Sequence, residues 1–319
     1  MPDIPISDKT INMVDINFSK YMRYVSLAGL EDLQALMKNG LAKIKEHSSQ
    51  TYGIITSAYN LYKYWGEIDP DNKKYELIEN RSKALKEHAA DFTWLYNNLS
   101  DYRSKKVLYG IVENWLTFSM ASLDSIIEKT FLHYFDLDII KCDENETFVD
   151  LGAYDGDTVH NFLDSFSTYK KIYCYEIMPD IFEKLKANLG SYKNIEFRRK
   201  GASDKNGTMF ISDNEPAESM HKLSNSGNLE VPAVSIDNDI FEPVTFIKMD
   251  IEGGEQKALL GCERHIKEGH PKLAISIYHN NEDIWKCARI IYDMDPSYKF
   301  YLRYNGGNYY PSEFVLLAV

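Results

Sequence analysis

The stretch Thr147-Phe148-Val149-Asp150-Leu151-Gly152-Ala153-Tyr154-Asp155-Gly156-Asp157-Thr158 decides how this chain is read. Its apolar, β-branched opening predicts a strand, and the glycines after it predict a tight turn into a helix. A strand that leaves through a glycine loop into a helix starts a βα unit, and such units build parallel sheets.

Working outward, the same alternation repeats. Residues 171–175 predict a second strand and 179–189 a second helix, with a third strand at Ile195-Glu196-Phe197. A fourth strand is expected at Phe246-Ile247-Lys248-Met249, a helix from 255 to 260, and a fifth strand over 273–278. Residues 299–304 and 313–319 flank Asn305-Gly306-Gly307-Asn308 and predict a terminal antiparallel hairpin. Between the third and fourth strands, 209–212 and 231–236 read as extended excursions around a polar loop, 213–229. That loop carries Glu215, His221 and Lys222 and is long enough to be a lid.

Upstream of residue 140 glycines are few and the apolar spacing is helical. Ser7-Asp8 reads as a cap for an opening helix, and Tyr52, Ile55, Tyr59, Tyr62 and Tyr64-Trp65 recur at helical intervals. Pro70-Asp71 is expected to start a long helix through Leu77, Leu85, Phe92 and Leu95. Ser100-Asp101 should cap another, with Val107, Leu108, Ile111, Trp115 and Leu116 on one face, and a last helix is expected over 123–135. The tyrosines of this half are assigned to helix packing rather than to a binding platform. The expected organisation is an all-α N-terminal domain, 1–140, and a Rossmann-like α/β domain, 141–319, whose sheet is mostly parallel with a C-terminal antiparallel hairpin.

Composition narrows the function. With 44% hydrophobic and 26% charged residues in 319, the chain is of ordinary globular type, large enough for two domains. A net charge of −12, from 48 acidic and 36 basic residues, repels phosphate backbones and anionic lipid, which disfavours a nucleic-acid partner. No apolar run reaches the roughly 18 residues of a membrane span, and Met1-Pro2-Asp3-Ile4-Pro5 does not read as an export leader. Cys142, Cys174, Cys262 and Cys287 form no CxxC pair, against a disulfide framework or a thiolate zinc site, so a cytoplasmic location is expected.

Open α/β sheets bind ligands at the carboxyl ends of their strands. At the first such end, Gly152 and Gly156 permit a close backbone approach, but GxGxxG is absent and Asp150, Asp155 and Asp157 would repel a pyrophosphate, which disfavours NAD. S-adenosylmethionine, with an ammonium and a sulfonium, suits the loop better. Glu176 closes the second strand, where an acid can accept hydrogen bonds from a ribose diol.

Asp250 and Glu252 stand two apart after the fourth strand, so both carboxylates can point to one side, and Gly253-Gly254 permits a sharp exit. Either they orient an incoming nucleophile, or Asp250 bonds the glycine loop and Glu252 caps the helix near Glu255. His279 ends the fifth strand beside them, suited to proton abstraction from an acceptor hydroxyl. Tyr278 and, on the hairpin, Arg303 are candidate acceptor contacts, although Arg303 could equally pair with an acid.

Two of these stretches carry a resemblance. The run from Leu99-Ser100-Asp101 to Tyr134-Phe135-Asp136 with the loop 148–158, and Ile247-Lys248-Met249-Asp250-Ile251-Glu252-Gly253-Gly254-Glu255 with Leu259-Leu260-Gly261, resemble the FkbM-type class I methyltransferases and their K-x-D-x-E-G-x-E…L-x-G signature. The resemblance covers roughly 99–319. It implies a class I methyltransferase sheet that uses S-adenosyl-L-methionine and releases S-adenosyl-L-homocysteine. By it, Asp150, Gly152 and Gly156, with Ala153, Tyr154 and Asp155 between them, hold the amino-acid end of the cofactor. Glu176 holds the ribose and Ile177 covers the adenine. Lys200-Gly201-Ala202-Ser203-Asp204 borders the ring through Ala202 and Asp204, although 203–207 would also make a turn with no ligand. Relatives show E-x-H where this chain has Ser276-Ile277-Tyr278-His279, a departure at the first position.

The resulting expectation is methyl transfer to an oxygen nucleophile, with His279 or Asp250 as base and Glu252, Tyr278 and Arg303 toward the acceptor. By family analogy the acceptor is a sugar hydroxyl in glycan or surface-polysaccharide biosynthesis. The alternatives are an N- or phosphate-O-methyltransferase, its anionic acceptor held by Lys222 and Arg303, and a non-catalytic binding module. Asp155, Asp250, Glu252 and His279 could ligate Mg²⁺ or Mn²⁺ if they converge, but no compact motif compels it and metal-free transfer is the expectation. The helical half is left to form a homodimer or to wall off the acceptor pocket.

Overall fold

The computed structural model describes residues 12–211, 223–224 and 229–319. The expected cap at Ser7-Asp8 and the loop residues Glu215, His221 and Lys222, with the lid they suggested, lie outside them.

The N-terminal part is helical: α1 (Met13–Leu27), α2 (Leu30–His47), α3 (Ser49–Tyr62), α4 (Glu76–Glu87), α5 (Ala89–Asn98), α6 (Tyr102–Thr117) and α7 (Met120–Asp124). Local sequence chooses the starts. Asn12 and Asp15 form a capping box at α1, and the Asp101 side chain accepts from Ser104 N at α6, as expected. Two expectations fail. Pro70-Asp71 opens only a single 3₁₀ turn, Pro70–Asn72, which Lys73 ends in a left-handed conformation; the helix starts at Glu76 and breaks at His88. The helix expected over 123–135 is cut to the short α7. Glu128 folds the chain back by accepting from Thr130 N and Phe131 N, and Phe135 turns into the core.

The strands follow as β1 (Thr147–Leu151), β2 (Lys171–Tyr175), β3 (Ile195–Arg198), β4 (Gly201–Ala202), β5 (Gly207–Ile211), β6 (Leu223–Ser224), β7 (Leu229–Val234), β8 (Phe246–Met249), β9 (Lys272–Ser276), β10 (Phe300–Tyr304) and β11 (Phe314–Ala318). Between them run α8 (Asp157–Ser165), α9 (Pro179–Leu189), α10 (Ile236–Asp239), α11 (Glu255–Leu260) and α12 (Asp283–Met294). The main sheet has seven strands in the order β10-β11-β9-β8-β1-β2-β3, with a small sheet β4-β7-β5-β6 beside it. Strands β1, β2, β3, β8 and β9 are parallel, while β11 lies antiparallel between β9 and β10 as the terminal hairpin requires.

From β1 the chain moves one way to β2 and β3, then returns to place β8 on the other side. The β1–β8 boundary is therefore the topological switch point, where a crevice opens at the strand ends. Side-chain alternation sets the two faces. Phe148 and Phe246 stack with ring centroids 4.9 Å apart on one face, against Phe162 of α8, and bury with Phe135. Val149, Leu151, Ile247 and Met249 point to the other face, and one buried cluster runs from them into Phe18, Leu33 and Trp115 of the helices. Fully burying a phenylalanine contributes about 2–3 kcal/mol, so either face is a large share of the folding free energy. The edge strand β10 is closed by the helical half: Ser100 N donates to Phe300 O at 2.9 Å, and Leu302 N donates to Ser104 Oγ at 2.9 Å.

No described helix is long and apolar enough to cross a membrane. The cysteines are free, as expected.

Candidate active site

At the switch point lies a cavity of about 540 Å³, a size suited to a cofactor with part of a second ligand. Gly152 forms its floor. The residue holds φ +79°, and a Cβ there would fall 1.9 Å from the Asp250 carbonyl oxygen, so both conformation and space demand glycine. Gly156, at φ +97°, packs under Leu189 of α9 rather than facing the cavity.

The loop and the second strand end are joined directly. Tyr154 N donates to Glu176 Oε2 at 3.1 Å, while Ile177 N and Met178 N donate to Oε1 at 2.7 and 2.8 Å. Burial pushes the Glu176 carboxyl up and those amides oppose it. Glu176, Ile177, Met178, Ile181 and Ala202 line one side of the cavity, an acid beside an apolar slot.

Other loop residues stand differently from expectation. Ala153 is buried in the phenylalanine face and Asp155 is not on the cavity wall, whereas Asp157 is. Asp150 lies fully buried beneath the loop, its Cα paired in register with Lys248. Lys248 Nζ is 3.0 Å from Asp150 Oδ1 and donates to Gly152 O at 2.8 Å, so the acid reaches the loop through the lysine. Burial raises the Asp150 carboxyl to about 6 against the pull of Lys248. Asp204 accepts from the Ser203 hydroxyl and stays off the wall.

The opposite end of the cavity is acidic and aromatic. Asp250 Oδ2 accepts from Tyr134 OH at 2.7 Å, and its Oδ1 is 3.4 Å from His279 Nε2. Glu252 holds φ +58° and accepts from Tyr64 OH at 2.9 Å, its Oε2 3.6 Å from the same Nε2. It does not cap α11. Glu255 instead accepts from Ile251 N at 3.0 Å and lies 2.9 Å from His279 Nδ1. Ser276 is buried, its hydroxyl 3.1 Å from the Tyr134 hydroxyl.

These surroundings change two roles. His279 is fully buried, which disfavours its charged form, yet Glu255, Glu252 and Asp250 outweigh this and raise its pKa to about 10. These three carboxylates favour the protonated imidazole over the neutral form that the expected general base would need. Asp250 stays ionised: burial pushes its carboxyl up, but His279, Lys248 and the Tyr134 hydroxyl hold it below the usual range. Burial raises Glu252 to about 7, with Asp250 adding to the shift. Arg303 is not a cavity residue. It is buried at the α6–β10 junction, its Nε 2.5 Å from Asp136 Oδ2 and its Nη2 2.9 Å from Asp101 Oδ2.

Tyr278 does line the cavity, together with residues that sequence reasoning did not select: Tyr62, Tyr64, His133, Tyr134, Tyr309 and Glu313. Tyr310, between β10 and β11, stacks on Tyr62 with centroids 5.1 Å apart. The tyrosine richness near residue 60 was visible, but helical spacing assigned it to packing; the chain beyond α3 carries Tyr64 into the site.

The methyltransferase FkbM domain matches residues 150–306. Residues 150–306 are an FkbM methyltransferase domain. A crystal structure of methyltransferase FkbM from Methylobacillus flagellatus is 24% identical, with a TM-score of 0.65 over 75% of this chain. The match covers 62% of that protein, so the chain spans less than two thirds of its length. An rRNA methylase from Streptococcus thermophilus is 17% identical over 58% of this chain and 92% of that one, TM-score 0.37. Aeropyrum pernix fibrillarin, in complex with S-adenosyl-L-methionine, is 12% identical over 57% and 70% of the two chains, TM-score 0.37. No curated protein sequence matches the chain. The FkbM domain thus takes in the Gly152 loop, Glu176 and the Asp250 turn together, while Tyr64 and Tyr134 reach the same cavity from outside it.

Proposed function

We propose that the chain is an S-adenosylmethionine-dependent methyltransferase acting on an oxygen nucleophile. The observation that carries this is the pairing of the Gly152 loop with Glu176 across one wall of the switch-point cavity. The residues present fit the cofactor. Gly152 lines the cavity with bare backbone, Glu176 keeps acceptor capacity for a diol, and Ile177, Met178, Ile181 and Ala202 offer an apolar slot for a purine. When bound, the cofactor supplies an electrophilic methyl group on a sulfonium.

The chain's own residues do the rest. Gly152 and Lys248 hold the loop closed over the amino-acid end, and Glu176 fixes the ribose. Asp250, ionised and anchored by Tyr134, accepts a hydrogen bond from the incoming hydroxyl, aligns it and takes its proton as the methyl group moves to the oxygen. His279, set between Asp250, Glu252 and Glu255, keeps these carboxylates in place. Most of the acceleration then comes from holding acceptor oxygen and methyl carbon in line.

We infer a sugar hydroxyl as the acceptor, in glycan or surface-polysaccharide biosynthesis. Supporting it, the acceptor end sets Tyr62, Tyr64, Tyr278 and Tyr309 around Asp250, Glu252 and Glu313. Aromatic faces pack against the C–H face of a sugar ring while carboxylates accept from its hydroxyls. The phosphate-bearing alternative loses support: Arg303 is engaged by two aspartates, and the cations on the described wall, Lys200 and Lys248, are paired with Asp239 and Asp150.

Calorimetry tests the reading. S-adenosylmethionine should bind the full chain, with affinity falling in Glu176→Ala. A chain that binds no cofactor would overturn it and leave a binding module.

A further inference from the structure

The acidic end of the cavity has more carboxylates than a methyl acceptor needs. One ligand atom from each of Asp250, Glu252 and His279 comes within 4.8 Å of the others. The closer spacings, Nε2 to Asp250 at 3.4 Å and to Glu252 at 3.6 Å, are those of ligands sharing an ion through bonds of about 2.1 Å. We propose that Asp250, Glu252 and His279 form a binding site for one divalent metal cation at the acceptor end of the cavity.

A second observation points the same way. His279 is fully buried, and its Nε2, 3.4 and 3.6 Å from the two acids, makes no hydrogen bond among the described residues. Asp250 Oδ1, facing that nitrogen, is also buried without a hydrogen bond. Two polar atoms left without hydrogen bonds and turned toward each other make a cradle for a third group.

The surroundings hold all three ligands in place. Glu255 sits 2.9 Å from His279 Nδ1 and is itself fixed by Ile251 N. The Tyr134 hydroxyl holds Asp250 and the Tyr64 hydroxyl holds Glu252. Outer partners of this kind fix the orientation and tautomer of metal ligands. Charge balance agrees: an ion on Nε2 takes the place of a proton there, and Lys248 lies against Asp150. Asp155, which the sequence offered as a fourth ligand, is not in the cluster. Two carboxylates and one imidazole, with remaining positions open to the cavity, suit Mn²⁺ or Fe²⁺ better than the all-oxygen cage of Ca²⁺. A cation there would lower the pKa of a hydroxyl brought to it; that use rests on the methyltransferase reading, but binding of the ion does not.

The test is titration of the full chain with Mn²⁺, without cofactor, following the free-ion electron paramagnetic resonance signal. One ion per chain should bind, its pulsed spectrum should show coupling to an imidazole nitrogen, and Glu252→Gln should weaken binding at least about tenfold. Absence of binding, binding without nitrogen coupling, or unchanged affinity in a folded Glu252→Gln variant overturns the site. If that variant does not fold, the nitrogen coupling in the wild-type protein decides alone. Calorimetry with S-adenosylmethionine on chelator-stripped protein separates the two proposals: cofactor binding without Mn²⁺ binding removes only the metal site, and the reverse removes only the methyltransferase reading.

Discussion

Gly152 and Asp250 meet backbone to backbone: a Cβ on the glycine would lie 1.9 Å from the aspartate carbonyl oxygen. The loop after β1 and the turn after β8 are thereby locked across the switch point, and the cavity wall depends on one missing methyl group. Gly152→Ala should lose at least about 2 kcal/mol, from the left-handed conformation and the clash together. Urea unfolding measures this; an unchanged midpoint would contradict the close approach.

Glu176 connects the glycine loop to the second strand end and, in the proposed site, to the ribose of the cofactor. Glu176→Gln keeps the shape but replaces the carboxylate with an amide, so cofactor affinity should drop about 10- to 100-fold, the worth of a hydrogen bond to a charged acceptor. Calorimetry should show this with little change in melting temperature.

Arg303 separates a structural role from an acceptor role. Removing it in Arg303→Met strands Asp136 in the core and should cost about 3–5 kcal/mol, while cofactor affinity in the folded fraction stays near wild type. Partial recovery in Arg303→Met with Asp136→Asn, seen by denaturant unfolding, is the expected signature of a buried pair.

Acid stability follows from the same junction. Burial raises the Asp101 carboxyl, but Arg303 and Ser104 hold it below its ordinary value. A folded-state pKa below the unfolded one means stability that is present above the unfolded carboxylate range and lost as pH falls through the folded value. Asp101→Asn should therefore be less stable than wild type at neutral pH, and the gap should close in acid. A gap independent of pH, in melts from neutral to acid, would assign the loss to the α6 cap.

Tyr64 tests whether the helical half belongs to the acceptor site. Tyr64→Phe removes the hydroxyl that holds Glu252, so turnover should fall about 5- to 30-fold at an interaction worth roughly 1–2 kcal/mol, with cofactor affinity unchanged. Steady-state kinetics beside calorimetry checks the split.

Much was legible in the sequence because it is local. The glycines at 152 and 156 mark left-handed turns that few other residues adopt, and the alternating apolar runs located β1, β2 and β8 to the residue. The K-x-D-x-E-G signature placed Asp250 and Glu252 after β8. Local propensity misjudged the stretches after Pro70 and Leu123, where Lys73 and Glu128 bend the chain for the sake of distant packing.

The charge on His279, the burial of Arg303 and the arrival of Tyr64 depend on contacts with residues far along the chain. A side chain's protonation and partners are set by what surrounds it in space: three carboxylates around one imidazole, two aspartates around one guanidinium, a tyrosine from a turn nearly two hundred positions away. The sequence alone determined the βα frame, the resemblance carried by the FkbM domain and the strand-end crevice where a ligand is expected. Tertiary packing alone decided which of the candidate side chains face that place and which of them carry a proton, because electrostatic and hydrogen-bond energies depend on distance and burial rather than on order along the chain.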